Sequence, residues 1–428
     1  MSSDKKINLA LIALVGLNVL ACEIYLICST SAYQDFLGQW KLCAYALRGI
    51  DPYPLVGVET SVIDELGIIP KYWGTTPWGL LLGNLFYLGF LEMTTAAFIP
   101  TTSVSLGSDL KAYREINFAY EPAEIYFILL NVLLMFTIAV IMFKLFKPIS
   151  RKLAWTASLL AIFSFAQLIP LIGTGNASSI VCCLLILICL LQENYPKLSG
   201  ILLAFAMVKP QLALIFCLTL LLMRRFKIIF IAAAIDIIAW LIVSFMTETS
   251  PLILLTEFLA TDIGGSINYS GIFTLFTASN YKLAMYLSMV AGITYVLIGH
   301  RFLKDCKICA FKFIPACIAS TFWCYSFYND FYILILPAIV CVYIMIETRE
   351  IKIPFSLALF MTFGVFLWMI SLGEISNLLD NVDWNSLLSL NVKPEYVVKT
   401  WITRTFFESV AIIIGVYLFR RLKNILVN

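Results

Sequence analysis

LSGILLAFAMVKPQLALIFCLTLLLM, residues Leu198–Met223, carries a single charged residue, Lys209, and sets it directly before a proline. As an unbroken helix rising 1.5 Å per residue, the stretch would cross ~30 Å of hydrocarbon. Pro210 removes a backbone donor and disfavours helix at the residue before it. Basic residues flank both ends, Lys197 on one side and Arg224 and Arg225 on the other. The stretch therefore reads as two half-helices that return to the side they started from. A lysine at such a break is unfavourable by a few kcal/mol on insertion scales, and residues of this kind default to function. An ammonium beside a helix end can hold a lipid-linked phosphate. The structural alternative is snorkelling, or pairing with a buried acid, for which Asp236 and Glu92 are candidates.

The rest of the chain supports a membrane reading. Of 428 residues, 61% are hydrophobic and 13% charged, against about 25% charged in a soluble domain. Apolar runs of about 20 residues recur from end to end, and in lipid only a helix satisfies its own backbone within one segment. The expected fold is all-α: a polytopic transmembrane helical bundle of about 11–13 membrane segments, forming one domain over 1–428. The first run, Ile7–Cys28, is longer than the ~7–15-residue core of a signal peptide and reads as a retained helix. The twelve cysteines lie mostly inside apolar runs, where they act as small hydrophobes. Cys306 and Cys309 have redox or metal spacing but stand alone, and no metal cluster or P-loop is visible. The net charge of +3 points to no nucleic-acid partner.

Basic residues cluster at Lys5/Lys6, Lys144–Lys152, Arg224–Lys227, Arg301–Lys307, Arg349–Lys352 and Arg420–Lys423. The positive-inside rule places all six on the cytoplasmic face, with both termini. Loops 29–75, 247–282 and 373–399 then lie outside, and Asp35, Asn176, Asn268, Tyr325–Asp330 and Arg404 share that outer side. The segment 77–124 fits the alternation only if Pro77–Ile99 dips as a hairpin.

Several outer residues have chemical potential. Asp35 heads a polar loop at the lipid–water boundary. It suits a general base, and equally a solvated loop acid or an N-cap for a helix starting near Phe36. Gly49-Ile50-Asp51-Pro52-Tyr53 reads as a turn ending an amphipathic interfacial helix from about Phe36 to Arg48. Arg404 suits bidentate phosphate binding, or an i,i+4 pair with Glu408. Gly264–Ser270, with Asn268 and Ser270, and Tyr325–Asp330, with Tyr328, Asn329 and Asp330, combine aromatics with hydrogen-bonding groups, as sugar recognition requires.

Taken in order, these stretches resemble glycosyltransferase family 87, the polyprenol-phosphate-sugar-dependent, mannosyltransferase-like members of the GT-C superfamily. Asp35, the Gly-Ile-Asp-Pro-Tyr53 turn and Thr76-Pro77 are similar to the family's acidic residue, G-x-PY turn and Tyr-Pro-Pro. Gly175-Asn176, Leu198-Ser-Gly200 and Lys209-Pro210 are similar to its G-Q-x-N, a-G and K-P series. Asn268-Tyr-Ser270 and Tyr325–Asp330 are similar to its N-Q-S and late aromatic/His turn. The chain departs from the pattern with Thr75-Thr76 before Pro77, with Thr174-Gly175 before Asn176, and with Asn329-Asp330 where the late histidine stands.

The resemblance implies a GT-C-like bundle whose outer loops carry short amphipathic helices. It implies inverting transfer of a hexose or pentose, mannose first, from a polyprenyl-phosphate donor to a lipid or glycan acceptor at the extracytoplasmic face of a bacterial inner membrane. Asp35 would be the base, and Lys209 and Arg404 would bind the donor phosphate. Tyr53, Asn176, Gln211, Asn268, Ser270, Tyr328, Asn329 and Asp330 would bind sugar or acceptor, with no cofactor or metal. A transporter or lipid-linked glycan flippase is the rival, since it too uses broken helices and buried charge.

Overall fold

A computed structural model describes residues 2–28, 34–47, 49–53, 76–83, 86, 120–168, 171, 175–260, 281–323, 328–364 and 394–427. These residues are mostly helical, joined by turns, and include no strand. The α-helices are α1 (Ser3–Cys28), α2 (Gln34–Leu47), α3 (Pro77–Leu82), α4 (Tyr120–Phe146), α5 (Arg151–Phe163), α6 (Phe165–Leu168), α7 (Ser178–Leu191) and α8 (Pro196–Ala206). They continue as α9 (Pro210–Leu222), α10 (Phe226–Met246), α11 (Pro251–Ala260), α12 (Tyr281–Leu303), α13 (Ile314–Ala319), α14 (Ile335–Thr348), α15 (Lys352–Gly364) and α16 (Pro394–Val427). Two 3₁₀ segments, Cys309–Phe313 and Tyr328–Leu334, lead into α13 and α14.

Among the described residues, five stretches are long and apolar enough to cross a membrane: Ser3–Ile24, Ala123–Phe146, Phe226–Met246, Leu283–Leu303 and Asp330–Thr348. Their outward faces are unlike those of a soluble bundle. On α4, Ile125, Leu129, Leu133, Phe136 and Val140 are exposed at helical spacing, and α10 exposes Phe230, Ile237, Leu241 and Phe245. Apolar residues outside as well as inside mark a helix whose solvent is lipid. The centre is formed by α7 and α14, in which nearly every residue is buried.

The break at Lys209-Pro210 forms as the sequence predicts: α8 stops at Ala206 and α9 opens on Pro210. At 11 and 13 residues, each half-helix spans about half the hydrocarbon core. The break leaves carbonyls without helical partners, which lipid cannot satisfy. A tryptophan from a distant segment supplies a donor, Trp78 Nε1 to Met207 O at 3.0 Å, and Trp323 Nε1 donates to Gln211 O in the first turn of α9. Just beyond, Gly200 lets α8 close on α10, where a Cβ would lie 2.7 Å from Ile231 Cβ.

The basic clusters gather at one end of the bundle. Asp4 pairs with Arg349 at 2.9 Å and with Lys152 at 3.6 Å, and Glu350 pairs with Arg421 at 2.5 Å. Glu193 pairs with Arg225 at 3.6 Å and lies near Cys309, while His300 lies within reach of Lys304 and Lys312. Cys306 and Cys309 are free thiols.

The helix after the first loop, α2, runs Gln34–Leu47, with α3 and α10 packed on it and Trp40, Tyr45 and every residue from Leu42 to Leu47 buried. Two expectations are corrected. The run Leu153–Leu171 is interrupted at Ser164, whose ψ of 121° ends α5. Cys309–Cys324 does not form a crossing helix, because its first turn is 3₁₀ and α13 ends at Ala319. Pro77–Ile99 is described only as far as Gly83 and at Phe86, so its hairpin lies outside the described residues.

Candidate active site

The first turn of α7 is built by Asn176, whose Oδ1 accepts the Ser178 backbone N–H at 2.9 Å and the Ser178 hydroxyl at 2.6 Å. Ser178 is fully buried. Its Oγ also lies 2.5 Å from Asp330 Oδ1, and Lys209 Nζ donates to it. Lys209 Nζ bonds Asp330 Oδ1 directly at 2.9 Å. The lysine side chain is 14% exposed and the aspartate 1%. Asp330 belongs to the 3₁₀ segment before α14, and its backbone oxygen accepts the Cys182 thiol at 3.4 Å.

A serine hydroxyl has one proton. With Lys209 donating to Oγ, that proton goes to either Asn176 or Asp330. The four side chains are thus one network, drawn from three segments more than a hundred residues apart at the extremes, in which a shift at one acceptor redirects the hydroxyl. Chains of this kind strengthen cooperatively in a low-dielectric interior. Gln167 stands behind, its Nε2 donating to Ser179 O at 3.2 Å.

The buried acid that meets Lys209 is Asp330, which corrects the expectation of Asp236 or Glu92. Asp236 sits on α10 and Glu92 lies outside the described residues. Pairing with a buried acid was the structural alternative for Lys209, and it is realised without moving the ammonium away from the break. The last helix reaches the same place. Phe331, next to Asp330, stacks on Phe407 of α16 with centroids 4.4 Å apart and an interplanar angle of 7°. Arg404 stands one turn before Phe407 on α16.

A second cluster forms at the Gly49–Tyr53 turn. α2 ends in a Schellman motif: Ile50 N–H donates to Tyr45 O at 3.0 Å and Gly49 N–H to Ala46 O at 3.1 Å. Gly49 has φ +82°, and a Cβ there would lie 2.9 Å from Met246 O at the end of α10. Asp51 Oδ1 accepts the Tyr53 N–H at 3.0 Å, and the Tyr53 ring packs on Phe258 with centroids 6.0 Å apart. Glu257, one residue earlier on α11, faces Asp51. Burial, then the neighbouring Asp51 carboxyl, pushes the Glu257 carboxyl up to about 7. Burial, then Asp51, also raise the Tyr53 phenol well above its ordinary value.

The predicted residues therefore divide. Asn176, Lys209 and Asp330 are brought into one network, Gln211 is buried in the first turn of α9, and Tyr53 belongs to the turn cluster. Asp35 lies in the first turn of α2, inside the helix rather than capping it. The side chains of Asp35, Tyr328, Asn329 and Arg404, and the whole of Asn268 and Ser270, lie outside the described residues. Sequence reasoning missed Ser178 and Gln167. The signal for Ser178 was its place two residues after Asn176, where a helix-opening hydroxyl meets the turn. Nothing local marked Gln167. Among the described residues no cluster of three or more His, Cys, Asp or Glu forms a metal site.

A polytopic helical membrane protein with a buried ion pair at a broken helix, next to a hydroxyl and an amide, belongs to a class that handles charged lipid-linked substrates or moves charged solutes. The glycosyltransferase family 87 profile matches residues 116–371, more than half of the chain. The protein belongs to that family and is a membrane glycosyltransferase. Asn176, Lys209 and Asp330 fall inside the matched region; Asp35, Tyr53 and Arg404 fall outside it. No curated protein and no solved structure matches the chain.

Proposed function

We propose that the protein transfers a hexose or pentose, mannose first, from a polyprenyl-phosphate donor to a lipid or glycan acceptor, with inversion, at the extracytoplasmic face of a bacterial inner membrane. The observation that supports this most is the meeting of Lys209, Ser178, Asn176 and Asp330 at the helix break. A polyprenyl phosphate carries its anion at membrane depth, and a half-helix break is where a cation can meet it without crossing to bulk water.

In this reading Asp35 takes the proton of an acceptor hydroxyl. The oxygen attacks the anomeric carbon, the bond from that carbon to the phosphate oxygen breaks, and its electron pair leaves with the polyprenyl phosphate. A phosphate leaving group needs positive charge more than a proton. An ammonium has three N–H donors. Two of those on Lys209 go to Ser178 and Asp330; the third is for a phosphate oxygen, with Arg404 as a second cation. Asn176, Gln211 and Tyr53 line the sugar and acceptor side, joined by Asn268, Ser270, Tyr328 and Asn329. The chemistry balances without a cofactor.

The test is to incubate purified protein with a panel of polyprenyl-phosphate sugars and an acceptor lipid fraction, and to follow sugar transfer. Asp35→Asn is expected to abolish transfer while retaining donor binding; full activity of that variant would remove the base assignment. Movement of an intact lipid-linked sugar across a vesicle membrane, with no transfer, would favour a flippase.

A further inference from the structure

Accepting that Lys209 binds the donor phosphate, we infer that Asp330 is the positioning residue of that lysine and does not itself bind sugar. Both the carboxylate and the ammonium are largely withdrawn from solvent. Asp330 Oδ1 takes one N–H from Lys209 and one approach from Ser178, whose hydroxyl also receives Lys209. Nζ is thereby held by two acceptors a fixed distance apart, and the remaining N–H has a defined direction. Asp330 is itself immobilised. Its backbone oxygen is bonded to Cys182, Phe331 is stacked on Phe407, and Tyr332 donates to Ala161 O at 2.7 Å. With the Asp330 side chain 1% exposed, a sugar would reach its carboxylate only by displacing the side chains packed on it.

A buried counter-charge balances the ammonium at the break, so a phosphate meets a pair whose remaining donor is already oriented.

The test uses the full chain in lipid nanodiscs and sugar-free undecaprenyl monophosphate as the probe. Wild type is expected to bind it. Asp330→Asn is expected to bind on the order of tenfold more weakly, and Asp330→Glu, which keeps a carboxylate beside Lys209, to recover most of that loss. If Asp330 instead holds a sugar hydroxyl, the sugar-free probe binds Asp330→Asn as it binds wild type, and the inference is overturned. It is overturned equally if Asp330→Glu binds no better than Asp330→Asn. Should Asp330→Asn not fold, Ser178→Ala carries the test: several-fold weaker binding is expected, and unchanged affinity counts against the shared clamp. Failure of wild type to bind the probe removes the phosphate reading of Lys209 itself, and this inference with it.

Discussion

Two pairs of ionisable side chains in this molecule face opposite problems. Lys209 and Asp330 carry opposite charges, lie in the interior at a helix break, and share Ser178. Asp51 and Glu257 are two carboxyl groups facing each other at the Gly49–Tyr53 turn. In the interior, the attraction between opposite charges offsets desolvation only while both partners are present. At the turn, burial and then the neighbouring Asp51 favour the protonated form of Glu257 toward neutral pH. The inner pair is therefore sensitive to the loss of either partner, and Glu257 to pH.

The largest effect should come from splitting the inner pair. Lys209→Met removes the ammonium from a buried carboxylate and is expected to destabilise by about 3–5 kcal/mol and to abolish transfer. Adding Asp330→Leu removes the remaining buried charge and is expected to restore most of the stability with none of the activity. Thermal unfolding in detergent alongside a transfer assay separates the two, and a double variant no more stable than the single one breaks the contrast. Ser178→Ala, which deletes the shared hydroxyl and leaves both charges, is expected to cost about 1–3 kcal/mol. At the turn, Gly49→Ala forces an L side chain into a positive-φ position against Met246 O, at about 1–2 kcal/mol, read as a lowered unfolding midpoint.

The smallest effect is the one that sharpens the comparison. Glu257 has its folded value raised to about 7. Above the ordinary carboxylate range the unfolded chain has released the proton while the folded chain still holds it. Stability conferred by the proton on Glu257 is therefore present in acid and declines as pH rises from about 4.5 through about 7. Glu257 is only partly buried and solvent screens it, so the drop in midpoint should be on the order of 1–3 °C, and Glu257→Gln should flatten it.

Much of this was legible in the chain. The membrane class followed from apolar runs that no soluble core could absorb, and the break from one lysine before one proline. The end of α2 was readable too, because Gly49 before Asp51-Pro52 is a local stop. What the sequence misplaced was register against neighbours. Asp236 looked like the partner of Lys209 because it lies on the next helix; Asp330 is farther along the chain and closer in space.

Local chemistry was enough to determine the solvent of the helices, where a helix must stop, and that a lysine in the hydrocarbon region needs an explanation, since each depends on residues within a turn or two. Only the tertiary structure decided that the explanation is Asp330, and that Trp78 closes the break. Those contacts join segments more than a hundred residues apart, and no periodicity along the chain encodes which distant carboxylate or indole packing will bring to a given charge.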